Sequence, residues 1–254
     1  MKLIHIDPDH PVYLSRLGPS VFGKDNWGKV NSFDKVLERG PIGRGTPFET
    51  GRVYRSLEMV FVQGRGWEET PLYRNAAAKI RAGRVMWKCT SPDALLQRLE
   101  RDIGTLYRSM QEHGFLRQEQ ISRRLKETGD PLFAPFAREG YHARIRKNHE
   151  IKLALNEAGD VLFLDGRHRF GIARLLRLPA VPCRVVFRHR DWMRRRTLLE
   201  EAAAASSGSG PVHAAIHPDL AHLRLSEREL SRVVTEFEAR GWNVPEFRRL
   251  RVAG

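Results

Sequence analysis

Arg167, His168 and Arg169 stand in a row after Gly166, where a short apolar run gives way to a helical pattern. The run Val161-Leu162-Phe163-Leu164 has the length and composition of a strand, and Asp165-Gly166 stops it at a turn. Phe170, Ile172, Ala173, Leu175 and Leu176 then follow helical spacing until Pro179 and Pro182 end the helix. Cys183 to Phe187 reads as a second strand. A helix start leaves backbone N–H groups unpaired and carries partial positive charge, so it favours an anion. A helix that needs only to fold takes Asp or Glu there, because arginine opposes the dipole. Two arginines at that place point to a guest with phosphate or carboxylate oxygens, which guanidinium forks match. The alternative is a surface turn in an arginine-rich chain.

Acidic partners lie nearby in the pattern. Glu150 to Leu155 alternates in part, and Asn156-Glu157-Ala158-Gly159-Asp160 is a hairpin turn into the apolar run. Antiparallel pairing would carry His149 and Glu150 toward Asp165-Gly166. Asp165 and Glu150 are therefore the candidate Mg²⁺ ligands, or the groups that engage an acceptor hydroxyl; a solvated strand-end acid or a turn cap is the plainer role for each. Beyond the second strand comes Arg188-His189-Arg190-Asp191-Trp192-Met193-Arg194-Arg195-Arg196. Arg188 could extend the anion site, Trp192 could stack a base, and Asp191 could cap the next helix. A solvated basic helix face is the other reading of that cluster.

The motif Gly166-Arg167-His168-Arg169-Phe170-Gly171-Ile172-Ala173, with Leu178-Pro179-Ala180-Val181-Pro182-Cys183-Arg184-Val185-Val186 after it, resembles the ParB/sulfiredoxin superfamily. Leu106-Tyr107-Arg108-Ser109-Met110-Gln111-Glu112-His113-Gly114-Phe115-Leu116 follows the pattern that closes a helix upstream in that family. The resemblance covers roughly residues 93 to 190, interrupted by an insert near 118 to 147. It implies an α+β fold: a small mixed sheet with packed helices, an N-terminal arm (1–90), the core (91–205) and a linker with a C-terminal helical tail (206–254). It implies phosphates held at Gly166, Arg167, His168 and Arg169, with ATP or CTP and Mg²⁺ as cofactors. His168, with Asp165 and Glu150, then joins the chemistry of a phosphotransferase or nucleotide hydrolase. Where sulfiredoxins carry their cysteine this chain has Arg167, which removes that activity. The Asp-Gly-x-His-Arg turn is nearest to the free-serine-kinase branch. A non-catalytic nucleic-acid-binding module and a nucleotide-gated homodimer remain open.

Other elements must position these groups. Ser91-Pro92-Asp93 opens a helix whose Leu95, Leu99, Ile103, Leu106 and Met110 make one apolar face, ending at Gly114. Thr70-Pro71 opens another through Ile80, and Gln118 to Lys126 forms a short one. Ile4-His5-Ile6 is an opening strand, and the rest of residues 1–70 reads as an extended arm over the core. Ser206 to Pro211 is a linker, after which Ser226 starts a helix and Trp242, Val244 and Phe247 dock the tail. A formal charge of +14 over 254 residues favours nucleotides or other polyanions as partners. No apolar run is long enough to span a membrane, and no signal peptide is visible. Cys89 and Cys183, the two cysteines, fit a reducing compartment and a cytoplasmic location, with no disulfide framework.

Overall fold

The computed structural model describes residues 3–15, 34–38, 40–129, 150–206 and 211–250. His149, Asp130-Pro131, most of the insert and much of the Ser206–Pro211 linker lie outside them. The architecture is α+β. Strands β1 (Ile4–Ile6), β2 (Val12–Leu14), β3 (Lys35–Leu37), β4 (Ile151–Leu155), β5 (Val161–Asp165) and β6 (Val181–His189) form one mixed sheet in the order β1-β6-β4-β5-β2, with β3 also on β6. The three strands described in the first 90 residues thus complete the sheet of the later core. Ile4 and Ile6 are buried and His5 between them is exposed, as a period of two requires.

Helices α1 (Arg52–Phe61), α2 (Pro71–Arg81), α3 (Pro92–Arg98) and α4 (Gly104–His113) come between the arm and the core strands, followed by α5 (Gln118–Thr128). Thr70 caps α2 by accepting the Tyr73 N–H at 3.2 Å, and Ser91 caps α3 by accepting that of Ala94 at 3.2 Å. The long apolar face expected from Leu95 to Met110 is present, but the helix widens into a π segment at Leu99–Ile103. The spacing explains why. Residues four apart drift by about 40° in an α-helix, and a wider turn keeps Leu95, Leu99 and Ile103 on the core. Helix α1 is not among the elements expected from the sequence, although Val53, Tyr54, Leu57, Val60 and Phe61 fall on one helical face; no side chain caps its start, and it follows a stretch rich in Gly and Pro.

The expected strand–turn–helix–strand unit is β5, then α6 (Arg167–Leu175), then β6. Arg177, at φ +51, closes α6 in the left-handed conformation, ahead of the prolines. Strand β6 is longer than its expected span because β1 pairs with its start and β3 with its end. After β6, α7 (Arg190–Ala205) leads to a small sheet of β7 (Val212–Ala215), β8 (Arg224–Ser226) and β9 (Phe247–Leu250), with α8 (Glu227–Ala239). Trp242, Val244 and Phe247 pack on the core, so the tail is docked. Cys89 and Cys183 are both buried free thiols. No helix among the described residues is long and apolar enough to cross a membrane.

Candidate functional site

The hairpin brings the acids to the turn as the sequence implies. Lys152 of β4 lies opposite Asp165 of β5, so Glu150, just before β4, sits beyond the end of β5. On its other side β4 runs parallel to β6, with Lys152 level with Arg184. One end of the sheet thus collects Glu150, Lys152, Asp165 and Arg184 where α6 begins. Lys152 and Arg184 are both buried and adjacent on one face, and Asp165 and Glu150 respectively offset their charge.

Gly166 forms the N-cap of α6 with φ +93, and no side chain caps the helix or places an acid in its first turn. An added Cβ would lie 3.2 Å from the Ile151 Cα, so the turn needs glycine for both conformation and space. Arg169 folds back over this glycine, with Nη2 3.3 Å from that Cβ position. Burial pushes the Arg169 guanidinium below its ordinary pKa, and Glu150 and Asp165 offset this only in part. Arg169 makes no hydrogen bond or ion pair with another described residue. Arg167 is exposed beside it.

Glu150 is 2 % exposed. Its Oε1 accepts a hydrogen bond from Arg117 Nε at 3.4 Å, while Oε2 is shut off from solvent without a hydrogen-bond partner among the described residues. Asp165 is half-exposed; its Oδ2 lies 3.5 Å from Lys152 Nζ and its Oδ1 accepts the Gly166 N–H at 2.8 Å. Burial, then the Arg167 and Arg169 charges, lower His168 from 6.5 to about 4, so the imidazole is neutral near pH 7. Its Nε2 is sealed from solvent with no hydrogen-bond partner among the described residues. Such a histidine is a weak base but an available hydrogen-bonding group. Cys183 adjoins Arg169 and Glu150, yet burial raises its thiol well above the usual value, which suits packing and not nucleophilic chemistry.

Arg188 does not join this group. It lies four residues further along β6, level with Leu155 at the opposite end of the sheet. Its guanidinium donates to both oxygens of Asp219, at 3.0 and 2.9 Å from Nε, and to Asp34 at 2.6 Å from Nη1. Trp192 is 1 % exposed and donates Nε1–H to Asp219 at 2.9 Å, so it offers no face to a base. These residues form a structural network, because Asp219 reaches them from the C-terminal segment. Asp191 does not cap α7 either: the Nδ1 of His189 accepts the Asp191 N–H at 3.2 Å.

Sequence reasoning missed Lys152, Arg184 and Arg117 as members of the site. The first two are charged residues inside apolar strands, which was a usable signal. It also missed Trp87, whose ring meets His168 edge-on with centroids 6.0 Å apart. No group of three or more His, Cys, Asp or Glu that could hold a metal occurs among the described residues. In comparisons with protein-family models, curated proteins and solved structures, the chain matches none.

Proposed function

We propose that the chain binds a nucleoside triphosphate by its phosphates at Gly166–Arg169 and transfers or hydrolyses the terminal phosphoryl group. The observation that carries this is Arg169, a half-buried guanidinium folded over an uncapped helix start and without a hydrogen bond to another described residue. A phosphate there would receive the α6 amides and the Arg169 and Arg167 forks, and would relieve the repulsion between Arg169 and Lys152. Within this reading the chain is a ParB/sulfiredoxin-like protein of the cytoplasm, and the free cysteines and the strand–turn–helix–strand order support that.

A magnesium ion fits the reading. Mg²⁺ takes one or two protein carboxylates and completes its shell with phosphate oxygens and water. Asp165, half-exposed at the strand end, would supply the protein oxygen, and the ion when bound would neutralise phosphate charge. Glu150 is the carboxylate that would receive the acceptor's proton, which requires its Oε2, shut off from solvent here, to open toward the bound acceptor. The acceptor oxygen, of water or a hydroxyl, bonds to the terminal phosphorus while the bond to the bridging oxygen breaks. The proton passes to Glu150, and the electron pair leaves with the nucleoside diphosphate, whose charge Arg167 and Arg169 hold.

The test is ³¹P NMR of ATP and of CTP with the full chain and MgCl₂. Turnover is expected in the native chain, loss of both binding and turnover in Arg169→Ala, and binding without turnover in Glu150→Gln. Absence of nucleotide binding at millimolar concentration overturns the proposal; binding without turnover in the native chain reduces it to a binding module.

A further inference from the structure

The Met86–Cys89 turn carries a feature that folding alone does not call for. Met86 and Cys89 pair across it, with Met86 N–H donating to the Cys89 carbonyl at 3.1 Å and Cys89 N–H to that of Met86 at 2.8 Å. The two residues between, Trp87 and Lys88, have φ of +49 and +61. That geometry suits Asn-Gly, and neither a bulky aromatic nor a lysine adopts it without strain. Strained non-glycine backbone of this kind clusters where it positions a ligand. The turn is also anchored, because Cys89 is 5 % exposed and Met86 packs on the core. Met86 and Cys89 point in, and Trp87 and Lys88 point out.

Trp87 itself is 37 % exposed, the neighbouring Val85 is 63 % exposed, and the indole meets the His168 ring at 82°. His168 is the second residue of α6, so a large, partly open aromatic surface stands one ring away from the helix start that would hold phosphate. His168 Nε2 is sealed and lacks a hydrogen-bond partner among the described residues. Trp192, the aromatic of the Arg188–Arg196 cluster, is buried and cannot serve.

We propose that Trp87 is the platform on which a nucleoside phosphate stacks its base, with its phosphates at Gly166–Arg169. This rests on the phosphate-binding reading of that turn and adds the ring-recognition half of the ligand. Stacking on an exposed indole tolerates any base and adds about tenfold or more to affinity. The left-handed turn holds the ring in place before the ligand arrives, so little ordering accompanies binding.

The experiment is calorimetric titration of the full chain with ATP, CTP and inorganic tripolyphosphate, with Trp87→Asn and Trp87→Phe alongside. Asparagine accepts the left-handed conformation, so Trp87→Asn is expected to fold with an unchanged or higher thermal midpoint. The native chain should bind ATP and CTP at least tenfold more tightly than tripolyphosphate. Trp87→Asn should abolish that difference while leaving tripolyphosphate affinity unchanged, and Trp87→Phe should restore part of it. If tripolyphosphate binds but the base adds nothing, or Trp87→Asn keeps the difference, the platform is wrong and the phosphate site stands. Binding of none of the three overturns both.

Discussion

Two arginines sit at opposite ends of one sheet, Arg188 buried and Arg169 half-buried, and they are treated in opposite ways. Burial works against the charge of Arg188, but hydrogen bonds to Asp219 and the charges of Asp219 and Asp34 reverse this and raise its pKa. Burial also works against Arg169, and there the nearby acids fail to compensate, so its pKa falls. The first end is a finished structural joint that pins the C-terminal segment to β6 and α7. The second keeps a cation, a carboxylate oxygen and an imidazole nitrogen without hydrogen-bond partners among the described residues, around an uncapped helix start. Folding stability alone accounts for the first end and leaves the second unexplained, which is why the proposed function lies there.

The contrast is most strongly tested by removing each arginine. Arg188→Met leaves Asp219 buried without its counter-ion and should cost about 3–5 kcal/mol in urea denaturation. Arg169→Met removes a half-buried charge without a hydrogen bond to another described residue and should change stability by about 1 kcal/mol or less, or raise it, while phosphate affinity falls roughly a hundredfold. Equal loss of stability in the two variants would break the comparison.

Glycine substitutions give the next effect. At Gly159, with φ +90, an added Cβ would lie 2.3 Å from the Trp192 ring, so Gly159→Ala should cost about 2–4 kcal/mol by chemical denaturation. Gly166→Ala meets its neighbours at 3.1 Å or more and should cost about 1–2 kcal/mol, with a larger loss in phosphate affinity than in stability.

Acid separates the two ends more gently. His10, beside His217 at the Arg188 end, and His168 are both lowered to about 4, in each case first by burial. Each is protonated more readily in the unfolded chain. Their contribution to stability is therefore complete above pH 6.5 and is lost as pH falls from there toward 4. Thermal midpoints measured across that window should fall less steeply in His10→Gln and in His168→Gln. Tripolyphosphate should flatten the fall further in His10→Gln than in His168→Gln, because an anion offsets the Arg167 and Arg169 charges that depress His168. An equal response in both variants would count against an anion beside His168.

Much of the site's local frame was legible. The apolar run, the Asp-Gly stop and the helical spacing after it located β5 and α6, and the Asn156–Asp160 hairpin carried Glu150 toward the turn. The readings that failed depended on distant partners. Arg188 and Trp192 look like a basic, aromatic surface cluster until Asp219, 31 residues beyond Arg188, closes on both. Trp87 gave no signal, because its φ and its neighbour His168 follow from how the α2–α3 connection meets α6.

Sequence by itself determined the periodicity of strands and helices, the caps at Thr70, Ser91 and Ser226, and a helix start crowded with positive charge. These are interactions between residues a few positions apart, and their energies are set by local spacing. Tertiary structure decided which charges meet which partners. Strand order does that: β6 lies parallel to β4, which sets Arg184 level with Lys152 and within the influence of Glu150, and carries Arg188 to the far end, into the reach of Asp219.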